Sequence, residues 1–332
     1  MPVHPLLTIA SDRIEVTVLP DKGADICSLV DKRSGIDFLF KSPWRGRTGA
    51  HYGSSSMERW IEAYPGGWQV LLPNGGDECT EQGVTWGYHG EAAVVPWEVI
   101  SASARSAVLE TQLMTVPLSV RRLVEVEGPV LRLTETVTNG SGEQVEAMWS
   151  HHPAFGPPFL EGGCTISAGC RSLVADDRSP GTLLSPGSRH AWPYAGTVDG
   201  GQVDMRQVPP PGQQRAVLAY LEDFSEGFFA LTNSRIGLGI GFRWPLDPFP
   251  KAWLWQEVHS GKGWPWYQRA YVVAVEPAST IPGQGMASAR SHGQKGAIFG
   301  AHASREVVIE AVVFDGAGEV ASIGEGGTVR FA

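Results

Sequence analysis

Between Arg13 and Leu19 the chain alternates strictly, with Ile14, Val16 and Val18 set against Arg13, Glu15 and Thr17. That is the period of two of a half-buried strand, in which successive side chains point to opposite faces. Residues 6–10 read as a second short strand meeting it at Ser11-Asp12, a hairpin signal. Further short strands follow at 27–30 and 36–40, split by the polar turn 31–35. From 41 to 60 the Gly-, Ser- and Arg-rich chain shows no clear period and reads as a long surface loop, a place where function is often carried.

The clearest β pattern runs from 94 to 150. Leu118, Val120, Val124 and Val126 face Ser119, Arg121, Leu123 and Glu125, and Glu127-Gly128-Pro129 makes a turn. Leu131, Leu133 and Val137 then alternate with Arg132, Thr134, Thr136 and Thr138, and Asn139-Gly140-Ser141-Gly142 turns again. No helical pattern of 10–15 residues separates these strands, so an antiparallel meander is expected rather than a βαβ fold. Residues 171–215 are Pro/Gly/Asp-rich and read as an excursion from the sheets. Strands resume at 216–221, 228–232, 238–242, 252–256 and 271–275. A last one, 306–314, is so apolar that both its faces should be buried. The pattern predicts an all-β protein, one large sandwich domain spanning 1–332.

Composition sharpens this in a few places. Gly 41 and Pro 24 put a chain breaker at close to one position in five, which leaves little room for long helices. With 42% hydrophobic and 18% charged residues the chain belongs with folded soluble proteins. A net charge of −9 without a compensating basic block argues against nucleic acid or an anionic membrane as partner. The nearest basic group is Arg45, Arg47 and Arg59, the one cluster able to receive a phosphate. Cys27, Cys79, Cys164 and Cys170 form no C-x-x-C pair, so neither a zinc site, a redox motif nor a disulfide scaffold is indicated. Residues 1–10 lack the basic and apolar regions of a signal peptide, and no apolar run approaches the roughly 20 residues that span a bilayer. Cytoplasm is the expected location, with no metal or cofactor.

Four stretches carry candidate chemistry. Trp149-Ser150-His151-His152-Pro153-Ala154-Phe155 ends a β-patterned run with two histidines, and Pro153 holds His152 extended, where a turn is expected to follow. Gly66-Gly67 and Gly75-Gly76 bracket a short apolar strand; they serve either close passage of backbone past a ligand or tight turns. In Trp86-Gly87-Tyr88-His89-Gly90-Glu91 a histidine follows aromatics, as at a stacking surface or in an exposed loop. Glu276 closes the apolar run 271–275, where partial desolvation would raise its pKa and make it a better base near neutrality. Five of twelve tryptophans, Trp244, Trp253, Trp255, Trp264 and Trp266, crowd one Gly/Pro-broken segment. Aromatic faces stack on the C–H faces of sugars, and Asp247, Gln256 and Glu257 lie in the same segment to take hydroxyls.

Taken in order, these islands resemble the aldose 1-epimerase, or galactose mutarotase-like, family: Gly66-Gly67 with Pro73-Asn74-Gly75-Gly76, then His89-Gly90, His152-Pro153-Ala154-Phe155, and Glu276. The resemblance spans about residues 10–315 and implies a large antiparallel β-supersandwich. It implies His152 as general acid, Glu276 as general base and His89 as a hydrogen-bonding partner of the sugar. An aspartate on the sugar hydroxyls, here Asp247, is also implied, and Gln256, Trp255 and Arg59 complete the candidate binding set. Ala154 stands where many members have tyrosine, Gly-Pro-Pro follows the motif, and His151 doubles the histidine, so a divergent branch is indicated. The implied reaction interconverts the anomers of a free sugar by ring opening and reclosure, with imidazole and carboxyl on opposite sides of one sugar. A monomer or homodimer acting on a small-molecule sugar is expected. The competing readings are a non-catalytic sugar-binding protein on the same fold, a metal-dependent isomerase or lyase using His89, His151, His152 and Glu91, and a glycoside hydrolase pairing Glu257 or Glu91 with Glu276. Neighbouring strand residues point to opposite faces, which works against one metal shared by His151 and His152.

Overall fold

A computed structural model describes residues 6–44, 46 and 52–332; Arg45 and Arg47 of the arginine group lie outside the described residues. Two large antiparallel sheets carry the fold. The eleven-stranded sheet runs in the order Leu7–Ala10, Ile14–Leu19, Asp25–Asp31, Trp68–Leu71, Ser150–Phe155, Tyr271–Ala278, Lys251–Val258, Arg215–Glu222, Ser172–Ala175 and Arg189–Ala191, with Ile36–Asp37 added beside Asp25–Asp31. The eight-stranded sheet runs Thr165–Ala168, Phe228–Asn233, Leu238–Arg243, Ser304–Asp315, Val130–Asn139, Leu118–Glu127, Ser106–Gln112 and Glu98–Ala102. The antiparallel β-sandwich expected from the alternation is the observed architecture. No helix among the described residues is long and apolar enough to cross a membrane.

The inner faces of the sheets meet in one core. Phe229 and Phe242 stack with centroids 4.8 Å apart, and Phe155 of the larger sheet meets both edge-on, at 5.8 and 5.6 Å. Edge-to-face contacts of this kind add to the area that aromatic rings bury. Ser304–Asp315 is buried on both faces from Ile309 to Phe314, as its apolar run predicted, because the hairpin Val320–Ile323/Val329–Phe331 covers its outer side. Ahead of Ile309, Glu306 is exposed, so the double burial covers only the second half of the strand.

Three expectations need correction. The loop expected over 41–60 contains the start of a helix, α1 (Ser56–Ala63), begun by a capping box in which Ser55 and Glu58 each satisfy the other's backbone. The segment 171–215 is less of an excursion than its composition implies, since Ser172–Ala175 and Arg189–Ala191 form one edge of the larger sheet. And the chain does not turn at Pro153: the strand runs on to Phe155. Pro153 is accommodated because the ladder to Tyr271–Ala278 is broken there, with pairs formed at Ser150–Ala278 and Ala154–Ala274 but not between them.

Candidate active site

The register of that broken ladder sets the site. Ser150 faces Ala278 and Ala154 faces Ala274, so the residue across from His152 is Glu276. Both side chains rise from the face of the larger sheet that points away from the inter-sheet core, His152 Nε2 lying 3.6 Å from Glu276 Oε1. They stand side by side rather than on opposite sides of a hollow. His151, one residue earlier, takes the other face by the alternation of the strand. It sits in the core, where Trp68 donates to its Nδ1 at 3.2 Å and its Nε2 lies 3.3 Å from Glu135 Oε2. His152 is therefore the histidine that faces the open side.

Over the pair lies a hollow of about 280 Å³, on the scale of a site for one small molecule. Its aromatic walls are Trp60 and Tyr64 from the α1 region, Tyr88, Trp253, Trp255 and Trp266. Trp60 and Tyr64 stack at 4.6 Å, and both approach the His152 ring, at 6.2 and 5.9 Å. Gly66 and Gly67 both have φ near +90°, and a side chain there would strike the carbonyl oxygens of Phe40 and Ile26, at 2.1 and 2.3 Å. They serve backbone packing beneath the site rather than ligand passage. Gly76 does border the hollow, and a Cβ on it would lie 2.0 Å from Gly283 O, so it allows two wall loops to close together.

Burial governs the protonation of the pair. Glu276 is 2% exposed with no cation against it, and desolvation pushes its carboxyl well above the usual range. Burial, the main cause, and the charge of Lys22 push the His152 imidazole down to about 4. Burial thus biases both groups toward their neutral forms, the carboxyl toward holding a proton and the imidazole toward releasing one. Lys22 is itself buried behind Trp60, with Nζ 6.0 Å from the ring centroid, paired with Asp25 at 2.6 Å. Asp25 also accepts from Gln69, the residue paired with His152 on the other neighbouring strand. Burial likewise holds His89 well below the ordinary histidine range. Its Nδ1 lies 2.8 Å from Gly75 O and so carries the hydrogen, which leaves Nε2 as an acceptor. His89 adopts φ of +59°, a strained value for a non-glycine residue of the kind that gathers at functional sites.

The family described as "Domain of unknown function (DUF4432)" matches residues 4–311. The chain belongs to the DUF4432 family. Among curated proteins no significant match is found. Solved structures share the fold over almost the whole length of this DUF4432 protein. The galactose mutarotase related enzyme from Lactobacillus acidophilus aligns with a TM-score of 0.66 at 15% identity, over 95% of this chain and 99% of that one. A galactose mutarotase-like protein from Clostridium acetobutylicum gives 0.65 at 15%, over 94% and 96%. The GalM/aldose epimerase homologue from C. elegans gives 0.59 at 10%, over 94% and 99%. At these identities the likeness establishes the fold, the β-supersandwich that the ordered sequence islands implied.

Within this DUF4432 chain the candidate residues divide. His152, Glu276, His89 and Trp255 all line the hollow. Gln256 borders it, but its carboxamide oxygen is turned to Arg215 Nη1 at 3.5 Å. Asp247 does not belong: its side chain is 90% exposed and paired with Arg305 elsewhere on the surface. Arg59 does not either, for it bonds the carbonyls of Gly53 and Ser54 and faces a separate hollow with Glu91 and Val94. Glu91 is held by Thr115 and the Met114 amide, and Glu257 caps the Ser260 and Gly261 amides, so neither carboxylate is offered to a ligand. Of the crowded tryptophans, Trp253, Trp255 and Trp266 line the hollow, Trp244 is core, and Trp264 is about half exposed. No group of three or more His, Cys, Asp or Glu residues among those described is placed to hold a metal. Sequence reasoning missed Trp60, Tyr64, Asp77 and Gln284, all on the wall. The Ser55-x-x-Glu58 box ahead of Trp60-Ile61 was a legible signal for the first two.

Proposed function

We propose that this protein is a carbohydrate 1-epimerase that interconverts the anomers of a free sugar through ring opening at His152 and Glu276. The observation that supports this reading best is the cross-strand imidazole–carboxyl pair, 3.6 Å apart on the floor of an aromatic hollow. The anomeric hydroxyl and the ring oxygen of a sugar are bonded to the same carbon, so the groups that exchange protons with them need to stand side by side. For opening, Glu276 as carboxylate takes the hydroxyl proton while His152 as imidazolium protonates the ring oxygen. The ring C–O bond breaks and the aldehyde forms. Opening leaves a neutral imidazole and a protonated carboxyl, the direction in which burial biases each group. Closure from the other face returns the carboxyl proton to the carbonyl oxygen while His152 recovers its proton from the chain hydroxyl. Each group is donor in one half-reaction and acceptor in the other, so one shared proton serves the cycle.

The test is direct. Adding the protein to a freshly dissolved pure α-anomer should speed its approach to anomeric equilibrium, read by polarimetry or exchange NMR. Binding of sugar without any acceleration would assign the chain to carbohydrate binding on the same fold instead.

A further inference from the structure

A second wall of the hollow, tied through Asp176 and Tyr220 to the strand Arg215–Glu222 two places across the sheet from the strand of Glu276, has its own chemistry, carried by groups with no assigned role. Asp77 lines it, and its carboxylate makes no hydrogen bond or ion pair with any described residue. Its backbone is nevertheless fixed on both sides: the amide donates to Gly283 O at 2.7 Å, and the carbonyl accepts from Asn74 Nδ2 at 2.7 Å. Gln284, next to Gly283, also lines the hollow. Its Nε2 donates to Asp176 at 2.8 Å, which orients the amide, while its buried Oε1 has no partner. Asp176 is tied down by Tyr220 OH and by the amides of Arg178 and Ser179. The free groups at this end are thus a carboxylate and an amide oxygen, both acceptors of hydrogen bonds, on neighbouring loops locked together. No lysine or arginine among the described residues lines the hollow. The charge of Asp176 adds to that of burial in making further negative charge unwelcome near Asp77, against a smaller opposing influence from exposed Arg178.

We infer that Asp77, oriented with Gln284, is the specificity-determining residue of the site: it accepts hydroxyl hydrogens at the end of the sugar remote from the anomeric carbon and excludes sugars that carry a phosphate or carboxylate there. The substrate class is then a neutral, unphosphorylated sugar. This rests on the sugar-site reading above, and it deepens that reading by naming what the far end selects. A carboxylate accepting a hydroxyl forms one of the stronger hydrogen bonds of a binding site. A second anion brought to the same place would find no lysine or arginine on the lining of the hollow, only the weaker influence of exposed Arg178, and would lose its hydration.

The experiment compares glucose, glucose 6-phosphate and glucuronate by equilibrium binding, read through quenching of the tryptophan-rich hollow, and by anomer exchange in parallel. The intact protein should bind glucose roughly tenfold or more tightly than either anion, the scale of one charge-assisted hydrogen bond. Asp77→Asn should raise KM for glucose several-fold with kcat little changed, because the contact is remote from the reacting carbon. Asp77→Lys should close or invert the preference, and the exposure of the Asp77 side chain lets both variants fold. Tighter binding of glucose 6-phosphate by the intact protein, or a preference unmoved by both variants, would overturn the assignment, as would binding of none of the three. Preferential glucose binding without exchange would keep Asp77 as the selector and sink the epimerase. Exchange without preference would do the reverse.

Discussion

His151 and His152 are neighbours on one strand, and the two faces of that strand use the same side chain in opposite ways. On the core face, His151 is enclosed by protein partners. Trp68 donates to one nitrogen, Glu135 faces the other, and Arg122 binds Glu135 while stacking over Trp97 at 4.9 Å. Burial alone would raise the Glu135 carboxyl, but Arg122 and His151 hold it down at about 2. On the outer face, His152 has an unpartnered Nδ1 and a carboxyl 3.6 Å from Nε2, too far for a hydrogen bond. The Tyr64 hydroxyl and Trp60 indole N–H, also on that wall, have no protein partner either. One face spends its polar groups on holding two sheets in register. The other leaves them without protein partners on the wall of the hollow.

The largest effect that separates the faces is on turnover. His152→Ala and Glu276→Gln should each lose roughly 10²–10⁴-fold in anomer exchange, the usual contribution of a positioned proton donor or acceptor. Their melting transitions should stay close to that of the parent, since both changes remove polar groups whose burial opposes folding. Exchange at the parental rate in both variants would refute the assignment of the pair. The core face should respond in the opposite sense. Glu135→Ala leaves the fully buried Arg122 without its partner, and such losses cost about 3–5 kcal/mol of stability. Chemical denaturation should show that loss, while activity per folded molecule should remain. If Glu135→Ala abolished turnover in protein shown to be folded, the two faces would be coupled rather than separate.

A milder way to sharpen the contrast is pH. His152 in the folded site titrates at about 4, so above that the imidazole is neutral, and only below it does the pair hold two protons. The acid limb of kcat/KM should therefore fall near pH 4 rather than in the ordinary histidine range. Glu276 is raised, so its stabilising effect is fully present below the usual carboxylate pKa and is lost as pH rises toward the folded value. Glu276→Gln should flatten that part of the stability profile. An acid limb near 6.5 would mean that water reaches His152 freely.

Much of this division could be read in the sequence, and the gaps have physical causes. Strand alternation put the two histidines on opposite faces, but which face was open depended on pairing with Glu276, 124 positions away in the chain. The apolar series Leu118, Val120, Val124, Val126 skips a position, and the skipped residue is the buried Arg122, set opposite Glu135 on the next strand. A charge in an apolar register is a readable sign of a buried pair, although nothing local says what a third partner is. The helix α1 was hidden because eight residues in a Gly/Ser/Arg stretch show no long period, and tertiary packing of Trp60 and Ile61 stabilises it. Asp77 directly follows the second Gly-Gly pair and was passed over because a loop carboxylate has no pattern of its own.

Asp247 supplies the smallest and cleanest test of the division, because sequence proximity placed it with the tryptophans and the fold does not. It lies four residues before the strand that carries Trp253 and Trp255, yet the turn between sends its side chain to solvent, against Arg305 on the eight-stranded sheet. Exposed ion pairs contribute little, because water already solvates both partners and fixing two long side chains costs entropy. Asp247→Ala should change stability by no more than about 0.5 kcal/mol and leave kcat and KM for any accepted sugar at parental values. Asp77→Asn, a substitution of similar size on a residue also exposed, should move KM. A rise in KM for Asp247→Ala equal to that of Asp77→Asn would mean that bound sugar reaches beyond the hollow to the Arg305 side, and the outer face would be a larger site than its aromatic walls define.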